Sequence, residues 1–71
     1  MLEWFPVAGS TRIIAEAYDS NTERIYVRFL DGVEWWYGAC PPTVWEEFRA
    51  NSRGKYIRDV LDFKPNARHA G

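Results

Sequence analysis

The sequence predicts an α+β domain in which a three-stranded antiparallel meander carries two short C-terminal helices on one face. Three observations support this fold. Residues 24–37 alternate between apolar and polar side chains around a turn signal, and a cluster of turn formers precedes them. Two segments with helical spacing follow a pair of prolines. A chain of 71 residues is long enough for one domain.

The first nine residues are predicted to form an N-terminal arm, residues 1–9. Trp4 and Phe5 are too apolar to stay in water, and Pro6 interrupts regular structure. We therefore expect both aromatic side chains to fold back on the core. The alternative is that they anchor a partner. The domain proper is expected over residues 10–63.

The first strand is predicted over residues 11–18, but its alternation is irregular. Two sets of alternate residues compete for the core face: Ile13, Ala15 and Ala17, or Ile14, Glu16 and Tyr18. A bulge would reconcile them, so the register of this strand stays open. The turn formers at 19–22 return the chain into the next strand.

The hairpin over residues 24–37 can close with a loop of two or three residues. A two-residue Asp31-Gly32 loop would place the carboxylate of Glu34 on the apolar face. A three-residue loop that adds Leu30 puts Gly32 in the left-handed conformation such loops need. It also gathers the apolar residues on one face: Ile25, Val27, Phe29, Val33, Trp35 and Tyr37. We therefore predict the three-residue loop and assign this face to the core.

The opposite face of the hairpin, called the outer face below, pairs Arg28 with Glu34 and Tyr26 with Trp36. No predicted element covers it. Because Trp, Tyr and Arg are enriched in interface hot spots, Tyr26, Arg28 and Trp36 are predicted to contact a protein partner or a second copy of the chain. Alternatively, the two rings stack on the bases of single-stranded RNA and Arg28 contacts phosphate. Plain surface exposure is the third alternative.

The prolines at 41 and 42 suit the first turn of a helix, although Thr43 and Glu46 have the spacing of a capping box and could start it instead. A second helix is predicted from Arg53 to about Phe63, with Ser52 as its cap. Residues 64–71 are small and polar after Pro65, so they are expected to form a flexible tail.

The joint between the helices is a candidate site for an anion, because a helix N-terminus offers free amide groups. Its candidate contacts are Ser52, Arg53, Lys55 and Arg58. The alternative is a tight structural joint with ordinary surface ion pairs, Lys55–Asp59 and Arg58–Asp62.

Composition limits the chemistry that the chain can perform. One cysteine, Cys40, and one histidine, His69, provide neither an internal disulfide nor a multi-cysteine zinc site. Cys40 beside two prolines is expected to be a buried small hydrophobe. Glu46 and Glu47 are expected to be surface charges and not an acid–base pair. We therefore predict no catalysis, no cofactor and no metal.

The formal net charge of −1 speaks against non-specific nucleic-acid binding, although it permits a local basic patch. No apolar run is long enough to span a membrane, and the first residues lack the features of a signal peptide. The expected location is the cytoplasm, with no membrane partner.

A spaced set of residues runs from position 10 to position 56. Its members are Ser10-Thr11, Tyr18-Asp19, Ile25, Val27, Phe29, Gly32, Trp35, Tyr37, Cys40-Pro41, Ala50, Ser52, Gly54 and Tyr56. This set resembles the KTSC domain, which occurs at the C-terminus of some lysyl-tRNA synthetases and as a free-standing protein in bacteria and phages. Three positions depart from the family pattern. Trp35 replaces a Tyr, Cys40 replaces a Val, and Arg58 stands where Asn is frequent.

The resemblance implies no catalytic residues, and the synthetase context implies RNA binding. Together with the residues, it predicts a small non-catalytic interaction module that binds a protein partner or itself through the outer face. The alternative is RNA or single-stranded nucleic-acid binding by the outer face with Arg53, Lys55 and Arg58. A third is a small anionic ligand such as a nucleotide.

Overall fold

The computed structural model describes residues 2–70 and contains one antiparallel sheet with two α-helices. The strands are β1 (Phe5–Pro6), β2 (Ile13–Asp19), β3 (Arg24–Phe29), β4 (Glu34–Tyr37) and β5 (Asn66–Arg68), and the helices are α1 (Pro42–Ala50) and α2 (Arg53–Asp59). The strand order follows the chain, β1-β2-β3-β4-β5. The α+β class is confirmed, but the predicted number of three strands is wrong, because the sheet has five.

The two additional strands lie at the edges of the sheet, in the segments predicted as an arm (1–9) and a flexible tail (64–71). β5 pairs with β4, where Ala67 lies opposite Trp36. The prediction of a flexible tail is therefore wrong for Asn66–Arg68. β1 has two residues and β5 has three, so neither is long enough to show alternation in the sequence.

β3 and β4 form the predicted hairpin. The N–H of Phe29 donates to the carbonyl of Val33 at 2.9 Å, and Gly32 has a φ of +89° in the three-residue loop. The cross-strand pairs are Ile25–Tyr37, Tyr26–Trp36, Val27–Trp35 and Arg28–Glu34. The predicted register is therefore confirmed, and with it the division into a core face and an outer face.

The register of β2 against β3 shifts between Ile13 and Ala15, which is the bulge that reconciles the two competing sets. Ile14 lies at the bulge and is 41% exposed. Beyond it, Glu16 and Tyr18 join Ile13 on the core face, while the alanines of the strand turn to the outer face. The bulge thus places a carboxylate among core residues.

α1 begins as the proline pair predicts, with Pro41 at the N-cap and Pro42 as the first helical residue. The second helix is shorter than predicted. Its backbone departs from helical geometry at Val60, where φ is −128°, and a 3-10 turn, Leu61–Phe63, follows.

The helices cover the core face of the sheet. The buried cluster between them consists of Ile13, Ile25, Val27, Tyr37, Cys40, Phe48, Tyr56, Ile57 and Leu61. Trp4 and Phe5 are half-buried, but neither packs against this cluster as expected: Trp4 contacts Tyr26 on the outer face, and Phe5 lies under the guanidinium of Arg49. Within residues 2–70, no helix has the length and apolar character needed to cross a membrane.

Candidate functional site

The centre of the outer face is buried by other side chains, although the sequence predicted no element that covers it. Tyr26 is 6% exposed. The ring of Trp4 meets it edge-on at a centroid distance of 6.5 Å, and the imidazole of His69 does so at 4.9 Å. The expectation of a bare face is therefore wrong, because residues near both ends of the chain pack over its centre. Tyr26 cannot stack on a base while these contacts hold.

The other predicted contacts on this face are partly engaged. Arg28 pairs with Glu34 at 2.8 Å, and its guanidinium lies 4.5 Å from the ring centroid of Trp4. The guanidinium of Arg24 lies 3.9 Å from the ring centroid of Trp36, which is itself half-buried. Tyr26, Arg28 and Trp36 lie on one face, as predicted. Each of them, however, already contacts other residues of the same chain.

A groove of about 550 Å³ lies beside the joint of the two helices. Residues 7–12 form one wall, and residues 51–55 with Arg58 form the other. Its cationic side chains come from Arg12, Arg53, Lys55 and Arg58. Among these lining residues there is neither a carboxylate nor an aromatic ring. We call this the basic groove.

The basic groove joins segments that are far apart in the sequence. Arg12 Nη1 donates to the carbonyl of Gly54 at 3.4 Å, which links the two walls. A side chain at Gly54 would meet Arg12 Cβ and Cδ at 3.5 Å, so the walls are already in close contact there. Ser10 Oγ accepts hydrogen bonds from the N–H groups of Arg12 and Ile13, at 3.1 and 3.2 Å, and fixes the loop.

The sequence predicted Ser52, Arg53, Lys55 and Arg58 as one cluster, and the structure places all four on the same wall. Arg12 was missed. It precedes a strand, and no local pattern indicates that it reaches Gly54, 42 positions later. Only the pairing of β2 with the rest of the sheet brings it there.

The anion site expected at the start of the second helix has less support than the groove as a whole. α2 has seven residues, and the side chain of Ser52 makes no capping hydrogen bond. Arg58 pairs with Asp59 at 3.0 Å and not with Asp62, so the predicted surface pairing is wrong for this residue. The charge in the groove therefore comes from side chains and not from a helix end.

Glu16 is the second residue that the sequence did not single out. It is 1% exposed and lies beneath the helix joint. Arg53 Nε and Nη2 donate to its two carboxylate oxygens at 2.9 and 3.0 Å, and Arg49 Nε donates to Oε2 at 3.2 Å. The hydrogen bond to Glu16 raises the pKa of Arg53, so the guanidinium stays charged. The sequence did contain an indication of its burial, because the irregular alternation of β2 allowed Glu16 to lie on the core face, and the bulge places it there.

Cys40 lies apart from the groove. It is 0% exposed, and burial raises the pKa of its thiol. Its Sγ contacts the carbonyls of Tyr37 and Gly38 at 3.4 and 3.2 Å. A buried thiol with a raised pKa is a poor nucleophile. In the described part of the chain, no group of three His, Cys, Asp or Glu side chains is placed to hold a metal ion.

Comparison with protein families matches the KTSC domain over residues 9–62. The chain belongs to the KTSC domain family. A search of curated proteins finds no match. Among solved structures, the crystal structure of a KTSC domain protein from Yersinia pestis matches with a TM-score of 0.88 and 19% sequence identity. The alignment covers 99% of this chain and 100% of that one, so the two share the complete fold.

The KTSC segment contains nearly all of the basic groove. Within it, Ser10 and Thr11 line one wall and Ser52 and Gly54 line the other. These four positions are among those that carry the family resemblance. The two motif segments, distant in sequence, therefore meet at one surface feature of the fold. β1 and β5, by contrast, lie outside the segment that the family match covers.

Proposed function

We propose that this KTSC domain is a non-catalytic binding module that holds single-stranded nucleic acid, RNA above all, by its phosphates in the basic groove. The observation that carries the proposal is the grouping of four cationic side chains in one groove. No carboxylate lines the groove, and the two carboxylates that pair with its cations, Glu16 with Arg53 and Asp59 with Arg58, lie outside the lining. Phosphate contacts from Arg and Lys supply most of the affinity of sequence-independent nucleic-acid binding.

The groove favours contact with phosphates over contact with bases. Base stacking in single-strand readers needs exposed aromatic rings, and no ring lines the groove. The rings that the sequence offered for stacking lie on the outer face, where Tyr26 is covered. Binding is therefore expected to be weakly dependent on sequence. With a formal net charge of −1, attraction is local to the groove and falls with added salt.

The test measures the affinity of the chain for a short fluorescent RNA of mixed sequence by anisotropy, at about 50 mM salt and upward. Arg58→Ala is expected to weaken binding roughly 5-fold and to lower the slope of log K against log salt by about 0.7, the value for one lost phosphate contact on a single strand.

Arg68→Ala is the matched control, because it removes the same charge from an exposed position in β5 outside the groove. It should leave affinity and slope nearly unchanged. The proposal fails if no binding is seen at low salt, or if both variants lose affinity equally.

A second candidate is self-association through the β5 edge, a different surface from the outer face on which a partner or a second copy was expected. Phe63 is 85% exposed and lies shortly before β5, whose outer edge is unpaired within residues 2–70. Identical edges of two copies can pair about a twofold axis. Light scattering across a range of concentrations tests this. A dimer that Phe63→Ser dissociates supports it, and a monomer at every concentration excludes it.

A further inference from the structure

The buried carboxylate of Glu16 has no evident purpose in the core itself. Its neighbours across the sheet are apolar, because it lies between Phe5 in β1 and Val27 in β3. A buried charge must lose its hydration, and a well-packed apolar residue often serves stability as well as an ion pair does. Glu16 is nevertheless 1% exposed and fully engaged by two guanidinium groups.

The two arginines that donate to Glu16 have different surroundings. Arg53 is 23% exposed and lines the basic groove. Arg49 lies outside it, with its guanidinium 5.2 Å from the ring of Phe5 and 5.1 Å from the ring of Trp45. Two positive charges on one carboxylate leave a surplus of one. Of the two, only Arg53 both holds Glu16 by a two-point contact and lines the groove in which a ligand would lie.

We propose that Glu16 is a positioning residue that holds the guanidinium of Arg53 in place for an anionic ligand, an inference that rests on the proposed function of the groove. Arg53 uses Nε and Nη2 for the two oxygens of Glu16. Its Nη1 makes only a long contact of 3.5 Å to the carbonyl of Asn51, in the groove wall. This N–H edge is therefore the one that receives phosphate.

Positioning affects affinity because a solvent-exposed arginine side chain loses rotamer freedom when it binds a ligand. A two-point contact with a buried carboxylate removes that freedom before the ligand arrives. Glu16 therefore raises affinity through Arg53 alone. Its negative charge, acting directly, would lower the affinity for an anion. The two effects have opposite signs, so an experiment can separate them.

The experiment is a double-mutant cycle on RNA affinity with Glu16→Gln and Arg53→Met. Glu16→Gln keeps the shape of the side chain but weakens its hold on Arg53, and is expected to weaken RNA binding about 5-fold. In the Arg53→Met background the same change should leave binding unchanged or strengthen it, because only a negative charge is then lost. Weakening of equal size in both backgrounds overturns the inference.

Arg49→Met is the matched control, since it removes a guanidinium from the same carboxylate without touching the groove. It should preserve affinity to within about 2-fold. If Glu16→Gln fails to fold, Arg53→Lys replaces it, because lysine keeps the charge but cannot hold both oxygens. Arg53→Lys should bind about 5-fold more weakly than the unmodified chain, and equal affinity overturns the inference.

The same assays separate this inference from the proposed function. If Arg58→Ala weakens binding and Arg68→Ala does not, the groove binds RNA whatever Glu16 does. If no RNA binds at low salt, the proposed function fails, and the inference fails with it.

Discussion

The imidazole ring of His69 stands edge-on against the ring of Tyr26, with centroids 4.9 Å apart and planes at 75°. Trp4 makes a second edge contact with the same ring. Both covering residues lie outside the segment that matches the KTSC family, residues 9–62. The centre of the outer face is therefore sealed by the terminal segments, and its burial depends on them.

Trp4→Ala tests how much this cover contributes to stability. Trp4 is half-buried and contacts both Tyr26 and the guanidinium of Arg28. We expect a loss of about 2 kcal/mol in the free energy of unfolding, roughly half the cost of deleting a fully buried aromatic side chain. Urea denaturation measures it. Phe63→Ala, at a position 85% exposed, should change stability by less than about 0.5 kcal/mol. Equal losses of stability in the two variants would show that the Trp4 side chain does not stabilise the outer face.

The two arginines on Glu16 are expected to contribute unequally to stability. Arg53→Met leaves the buried carboxylate with a single hydrogen bond of 3.2 Å from Arg49, whose side chain is 46% exposed. We expect it to cost about 3 kcal/mol. Arg49→Met leaves the two-point contact intact and should cost about 1 kcal/mol. Urea denaturation of both variants checks the order, and a larger loss for Arg49→Met would contradict it.

Glu23 adopts a φ of +53°, in the left-handed region that glycine occupies without strain. Glu23→Gly should therefore raise the free energy of unfolding by about 0.5–1 kcal/mol, net of the entropy gained by the unfolded chain. The hydrogen bond from Cys40 N–H to the Glu23 carbonyl is retained, because it belongs to the backbone. Ser20→Gly, in the same turn but without a positive φ, is the control and should lower stability.

Two buried tyrosines predict unfolding at alkaline pH. Burial raises the pKa of Tyr37 and of Tyr56 to about 12 from an ordinary value of 10.0. Between these values the unfolded chain releases protons that the folded chain retains, so stability is complete below about pH 10 and falls as the pH rises toward 12. Denaturation curves taken across this range test the fall. The Tyr37→Phe variant should lose less stability than the unmodified chain between pH 10 and 12. Equal losses in the two proteins would show that ionisation of Tyr37 does not cause the fall.

Cys40 should resist thiol reagents in the folded state. It is fully buried, and burial raises its pKa. Reaction with a coloured disulfide reagent at pH 8 should therefore proceed only as fast as the fold opens. Adding urea to the unfolding midpoint should accelerate it strongly. Immediate reaction of the native protein would show that the thiol is accessible.

The sequence predicted the centre of the fold better than its edges. The hairpin register followed from a single choice, because only one loop length gathered the apolar side chains on one face. β1 and β5 escaped prediction because short strands at an edge are specified by backbone pairing with a neighbour. The outer face was misjudged for the same reason, since Trp4 and His69 reach Tyr26 only when those edges are in place.

The candidate site was predicted in part. The cationic cluster at residues 52–58 could be predicted because its residues are close in sequence. Arg12 and Glu16 were not, because their contribution depends on contacts that cross the whole domain. Glu16 had the further disadvantage that a carboxylate in a strand normally indicates a solvent-facing position, and the bulge in β2 reverses that orientation.

The strand order has a consequence for redesign of the chain. Because the order β1-β2-β3-β4-β5 follows the sequence, the N- and C-terminal strands lie at opposite edges of the sheet. With strands about 4.8 Å apart, a segment that joins β5 directly to β1 must cross roughly 19 Å, or about six extended residues. A circular permutant with a shorter linker would pull β1 or β5 from its edge.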